Sequence, residues 1–123
     1  MDNFVDTMVK KSQRLSKKEF QAVFQSARAF PFEHFIVKYK PSAHPFSRFG
    51  VSCGLKVSKK AVVRNRIRRI LYHMFQTHQG NMQKGDYIVI VKPVILVADP
   101  SEIQPLFLSA LSNIYEANTR YTH

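Results

Sequence analysis

Residues 56–75 read KVSKKAVVRNRIRRILYHMF, and the rest of the chain is organised around them. Val63, Ile67, Ile70, Leu71, Met74 and Phe75 recur at the three- and four-residue spacing of one helical face. The same stretch holds seven of the nineteen Lys and Arg residues (Lys56, Lys59, Lys60, Arg64, Arg66, Arg68 and Arg69) and no Asp or Glu. On a helical wheel Ala61, Arg64, Asn65, Arg68 and Tyr72 form a row away from the apolar stripe. Lys59, Arg66, Arg69 and His73 widen that row to one side. Ser58 is the expected N-cap, because its hydroxyl can accept a bond from a first-turn amide, and the helix should end between residues 77 and 80. One side would bury in a core while the other presents fixed cations.

A solvated helix face normally mixes charges so that i, i+4 pairs can form. Here Lys60 and Arg64, and Arg64 and Arg68, are like-charged neighbours with no acid between them. Each such pair is unfavourable by about 0.2–0.5 kcal/mol. The pattern works against folding and points to a polyanionic partner, nucleic acid above all.

The charge balance agrees. The chain of 123 residues carries a formal charge of +11, and no acid occurs from His34 to Gly85. From Asp86 onward four acids (Asp86, Asp99, Glu102, Glu116) face only Lys92 and Arg120. So lopsided a field suits a binding face. An apolar fraction of 45% and this length predict one domain over residues 1–123, with a single core that needs no disulfide or metal. Cys53 is the one cysteine, which excludes a disulfide framework and a Cys-based zinc site and suits a reducing cytoplasm. The start, MDNFVDTMVKK, lacks the pattern of a signal peptide. No apolar run approaches the ~20 residues that span a bilayer, so no membrane partner is expected.

Residues 1–13 carry little pattern and read as a flexible arm. Leu15-Ser16-Lys17-Lys18-Glu19-Phe20 then marks a helix start: Ser16 and Glu19 have capping-box spacing, and Leu15 and Phe20 that of a hydrophobic staple. That helix should run to about Ala27 with Phe20, Val23, Phe24 and Ala27 on one stripe. The stripe is read as core, or as an aromatic wall of a groove that stacks nucleotides. Phe35, Val37 and Tyr39 alternate with Ile36, Lys38 and Lys40 as a half-buried strand. After the Pro- and Ser-rich turn 41–47, Phe49, Val51 and Cys53 alternate with Arg48, Gly50 and Ser52. The second sheet face, with Lys38, Lys40 and Arg48, is polar and could meet water. Tyr87 to Val91 (YIVIV) reads as a strand covered on both faces. Asp99-Pro100-Ser101-Glu102 starts a last helix, with Ile103, Leu106, Phe107, Ala110, Leu111, Ile114 and Tyr115 as its buried stripe. Pro105 should trim the first turn, and the tail from Asn118 (118–123) should fray. The order predicts a small α+β sandwich.

No catalytic set stands out. The five histidines are scattered, His73 and His78 do not share the face a metal pair would need, and there is no Gly-rich phosphate loop. Any reaction is expected to be carried by the partner, with no catalytic or metal-ligating residue in the chain.

Val62-Val63-Arg64-Asn65-Arg66-Ile67-Arg68-Arg69 closely resembles the "RNR" signature of the bacterial ribonuclease P protein component. RLSKKEFQAVF (14–24) resembles that family's first helix, RFGVS (48–52) its strand before the motif, and GDYIVIVKP (85–93) the strand after it, so the likeness spans roughly residues 10–116. Two places depart: Gly54-Leu55-Lys56 stands where the family often has a Lys-Lys pair, and Lys38 where many members carry an aromatic.

The resemblance implies a ribonucleoprotein that removes the 5′ leader of precursor tRNA, the catalytic RNA subunit doing the hydrolysis with Mg²⁺ bound mainly by that RNA. It implies a fold like a ribosomal small-subunit protein domain, order α-β-β-(β)-α-β-α with a left-handed β-α-β crossover. Lys56, Lys59, Lys60, Arg64, Asn65, Arg66, Arg68 and Arg69 would then bind ribonuclease P RNA. Phe20, Phe24, Lys38, Lys40, Arg48 and Ser52 would line the leader cleft. The alternatives are a structural RNA-binding protein of ribosomal type and, against the lack of a helix-turn-helix partner, a DNA-binding module; no DNA partner is expected.

Overall fold

Alternation of apolar and polar residues builds the sheet. The computed structural model describes residues 13–121. Strands β1 (Arg28–Pro31), β2 (Phe35–Lys40), β3 (Arg48–Ser52) and β4 (Asp86–Val91) form one sheet in the order β1-β2-β4-β3. β1 with β2 and β2 with β4 are antiparallel, whereas β3 runs parallel to β4 with Phe49 opposite Tyr87 and Gly50 opposite Ile88. Parallel neighbours need a crossover. It is supplied by the basic helix, which spans Ala61–His78. The helices are α1 (Lys17–Ser26), α2 (Ala61–His78) and α3 (Pro100–Tyr121), with short 3₁₀ turns at Gln79–Asn81 and Pro93–Val97.

Phe35, Val37 and Tyr39 of β2 and Tyr87, Val89 and Val91 of β4 point to one face, where they pack with Ile67, Leu71, Met74 and Phe75 of α2 and Ile103, Phe107, Ala110 and Ile114 of α3. Phe49 is the hub: its ring stacks on Phe75 at 4.6 Å and meets Tyr72 and Phe107 edge-on. Emptying such a site costs about 3–5 kcal/mol, so β3, α2 and α3 are tied together through it.

The second face does not simply meet water, as the strand pattern allowed. Helix α1 lies across it, burying Val23, and Ile88 is fully buried although it lies on the face away from α2 and α3. Gly50 makes the close approach possible: a Cβ there would come within 2.9 Å of the Phe20 ring and 3.4 Å of Leu15. β4 is thus enclosed on both faces and both edges, which is why its sequence is continuously apolar.

Several boundaries differ from expectation. Ser58 is not the N-cap of α2. Its hydroxyl accepts from the Lys60 amide (3.1 Å) in a turn upstream, and Lys60, without a side-chain cap, occupies the cap position. The carbonyl of Lys60 accepts the amides of Val63 and Arg64, which fixes the helix start at Ala61. Tyr72, expected in the polar row, packs on the core through Phe49, while Tyr115 is 53% exposed although placed in the buried stripe. Pro105 lies inside α3 and is exposed, and the helix continues past it instead of being trimmed there. That helix runs on to Tyr121, past the predicted fraying point at Asn118. Residues 1–12 of the expected arm lie outside the described residues. Gln13 is already buried, donating to Gln79 Oε1 at 2.5 Å, and Leu15 donates its amide to the Phe49 carbonyl. Among the described residues no helix is long and apolar enough to cross a membrane.

Candidate nucleic-acid interface

The core stripe of α2 divides its cations into two flanks. On one flank the Arg64 guanidinium donates to the carbonyl of Ser58 at 2.9 Å. One turn on, Arg68 donates to the Cys53 carbonyl (2.9 Å) and to Asn65 Oδ1 (3.0 Å). These bonds hold two guanidiniums against the 53–58 segment without neutralising them. Arginine has five N–H donors, so each keeps donors for an outside anion. Asn65, whose role the sequence left open, therefore orients Arg68. On the other flank Arg66 and Arg69 join His73 along a groove beside α3. Around the outward side of the helix Asn65 and exposed Val62 lie between them and the Arg64–Arg68 row, which they widen as the wheel predicts.

Lys56, Lys59 and Lys60 are exposed just before the helix start. The first turn of α2 holds no acid and its cap no side-chain bond. A helix N-terminus carries a partial positive charge and unpaired amides. Two lysines beside it are unfavourable until an anion arrives, and favourable afterwards. Leu55 and Val62, at 69% and 76% exposure, lie among these cations. The wheel position of Val62, opposite the core stripe, was the signal that could have identified it.

The residues expected in a leader cleft gather around α1. The capping box forms as read: Ser16 Oγ accepts from the Glu19 amide and Glu19 accepts from the Ser16 amide. Phe20 and Phe24 lie one above the other with centroids 6.1 Å apart and planes 20° apart. Together with Gln21 and Gln25 they border a depression of about 370 Å³. Phe20 is half-buried against Gly50, whereas Phe24 is exposed. Lys38 reaches back to α1. Its ammonium lies 3.8 Å over the Phe24 ring and donates to the Phe24 carbonyl at 2.6 Å. Lys40 donates to Ser26 Oγ at 3.0 Å. Both cations sit at the C-terminal end of α1, where its dipole is negative. Ser52 is half-buried at the far end of β3, opposite Ile90.

Arg48 is the cation most tightly held within the protein. Its guanidinium grips both oxygens of Asp86 (2.8 and 2.7 Å) and reaches Glu19 Oε2 at 2.5 Å. Hydrogen bonds from Arg48 to Asp86 raise the guanidinium pKa further, and its side chain is only 12% exposed. The Glu19 carboxyl is held below its ordinary range, first by the Ser16 amide and hydroxyl and then by Arg48. Arg48 thus fastens α1 to β3 and β4. Sequence reading missed this triad because its members lie far apart in the chain.

Cys53 is buried, which raises its thiol pKa against the opposing pull of Arg68 and Arg64. Among the described residues no three His, Cys, Asp or Glu side chains form a group that could hold a metal ion.

Residues 8–115 match the family model described as Ribonuclease P. The chain is 36% identical over 85 residues to the ribonuclease P protein component of Legionella pneumophila (strain Lens), covering 68% of this chain and 73% of the relative. It is 31% identical over 96 residues to that of an Exiguobacterium species, covering 77% and 83%. Among solved structures, a mutant Staphylococcus aureus RNase P protein with defective mRNA degradation activity superposes with a TM-score of 0.78 at 25% identity, covering 92% of this chain and 95% of that one. The RNase P protein of Thermotoga maritima shares the fold, with a TM-score of 0.73 at 24% identity over 81% of this chain and 96% of that one. The arginine-asparagine-arginine helix crossing between β3 and β4 thus stands in a known setting: this chain belongs to the ribonuclease P protein-component family.

Proposed function

We propose that the chain binds a catalytic ribonuclease P RNA through α2 and the residues before it, and holds the 5′ leader of precursor tRNA against α1. In this reading Lys56, Lys59, Lys60, Arg64, Arg66, Arg68 and Arg69 neutralise phosphates of the RNA subunit. Phe20 and Phe24 offer ring faces to leader nucleotides, Lys38 and Lys40 set the charge around them, and Ser52 borders the cleft. Mg²⁺ is held mainly by the RNA, which carries out the hydrolysis to give the mature 5′ end. The protein contributes charge neutralisation and positioning in the cytoplasm, where precursor tRNA is made. The observation that carries the reading is the face around α2: seven cations, none with a carboxylate partner among the described residues.

Cleavage of a precursor tRNA by the chain alone, by the catalytic RNA alone and by both tests it. The chain alone should not cut, and adding it to the RNA should lower the Mg²⁺ concentration needed for cleavage. An unchanged Mg²⁺ requirement would overturn the proposal. A ribosomal-type structural RNA-binding protein is the alternative, and it would copurify with ribosomal subunits instead.

A further inference from the structure

The second basic flank of α2 has a feature that phosphate neutralisation alone does not use. Between α2 and α3 runs a groove of about 450 Å³, lined by Arg66, Arg69, Ile70, His73, Met74, Thr77 and His78 of α2 and by Gln104 of α3. The α2 residues are spaced three and four apart, so they form one continuous stripe. Its composition changes along its length. The N-terminal end holds two guanidiniums that have no acceptor among the described residues, and the middle is an apolar floor of Ile70 and buried Met74. At the far end Gln104 Nε2 and His78 Nε2 lie 3.3 Å apart, with Gln104 exposed. No carboxylate lines the groove.

Charge at one end, an apolar floor and an amide at the other end match the parts of a nucleotide. Resting on the RNA-binding reading above, we propose that this groove receives one unstacked nucleotide of the RNA subunit. Its phosphates lie on Arg66 and Arg69, its base lies flat on Ile70 and Met74, and the Gln104 amide bonds the base edge. The volume lies within the range of sites that enclose small ligands. A thioether against an aromatic ring is a favourable contact. A base within a duplex is stacked and cannot enter, so the site selects a bulge or loop nucleotide. A bare anion would not use the apolar floor, and an uncharged aromatic would not use the two guanidiniums.

The test plugs the groove without removing a cation. Gln104→Trp fills it from α3 and Thr77→Trp from the rim of α2; melting curves confirm that each variant folds. Affinity for the ribonuclease P RNA is measured as a function of salt. Each variant should bind about tenfold more weakly, the size of one lost base contact. Arg66 and Arg69 themselves stay in place, so the salt slope should change by less than the one unit that removal of a phosphate-binding cation produces. RNA containing 4-thiouridine, photocrosslinked to the wild-type chain, should label the peptide containing Met74 or Gln104, and that label should vanish in both variants. Binding within twofold of wild type in the folded variants overturns the proposal. Arg68→Ala, on the opposite flank, separates the two readings. If it weakens RNA binding while the plugged variants do not, only the nucleotide site fails; if the wild-type chain itself shows no salt-dependent affinity for the RNA, the RNA-binding reading fails with it.

Discussion

Arg48→Ala distinguishes a cation that holds the protein together from one that holds RNA. The Asp86 side chain is 4% exposed and receives both of its charge-assisted bonds from Arg48. Removing the arginine leaves a buried carboxylate without its partner, which costs about 3–5 kcal/mol. The Glu19 bond adds little, since that side chain is 42% exposed and such pairs contribute about 0–1 kcal/mol. With a urea m-value of about 2 kcal/mol/M, the unfolding midpoint should fall by roughly 1.5–2.5 M. Urea titration followed by circular dichroism measures it. The double variant Arg48→Met with Asp86→Leu should recover much of the loss, because two apolar side chains replace the pair without stranding a charge. A single variant whose midpoint stays within about 0.3 M of wild type, but which loses affinity for precursor tRNA, would refute the reasoning and return Arg48 to the leader cleft.

If RNA binding neutralises about six phosphates, affinity should fall by roughly three decades between 50 and 200 mM monovalent salt. Arg68→Ala should lower the slope of that dependence by about one. An unchanged slope means that the guanidinium touches only Cys53 and Asn65. Phe24→Ala should weaken precursor tRNA by about 1–3 kcal/mol and mature tRNA not at all, because only the precursor carries a leader; equal losses in a binding assay assign Phe24 a different role. Because the Glu19 pKa is lowered by its capping bonds and by Arg48, the stability it contributes is present above its ordinary value of 4.5 and is lost as pH falls through the lower folded value. Glu19→Gln should therefore flatten the acid limb of stability against pH, and an unchanged limb contradicts the capping geometry. Cys53 should react with a thiol reagent only as fast as the protein unfolds, and rapid labelling of the native chain would show that β3 opens locally.

Local pattern determined much of this protein. The period of Val63 to Phe75 specified α2, Ser16 and Glu19 specified the start of α1, and the uninterrupted apolar run of β4 specified its central place, because each signal is written in adjacent residues. The excess of cations and the arginine-asparagine-arginine motif carried the family and its polyanionic partner for the same reason. What the tertiary structure decided depends on residues distant in sequence. It turned Arg48 from a surface cation into the clamp on Asp86 and Glu19, and it laid Lys38 over Phe24. It also set Arg66 and Arg69 along the groove beside α3. A helical wheel ranks side chains by angle, but only the packing of α3 against one flank and of the 53–58 segment against the other determines which cations share a surface. Charge can be counted along a chain, whereas the partner of each charge is set by what folds beside it.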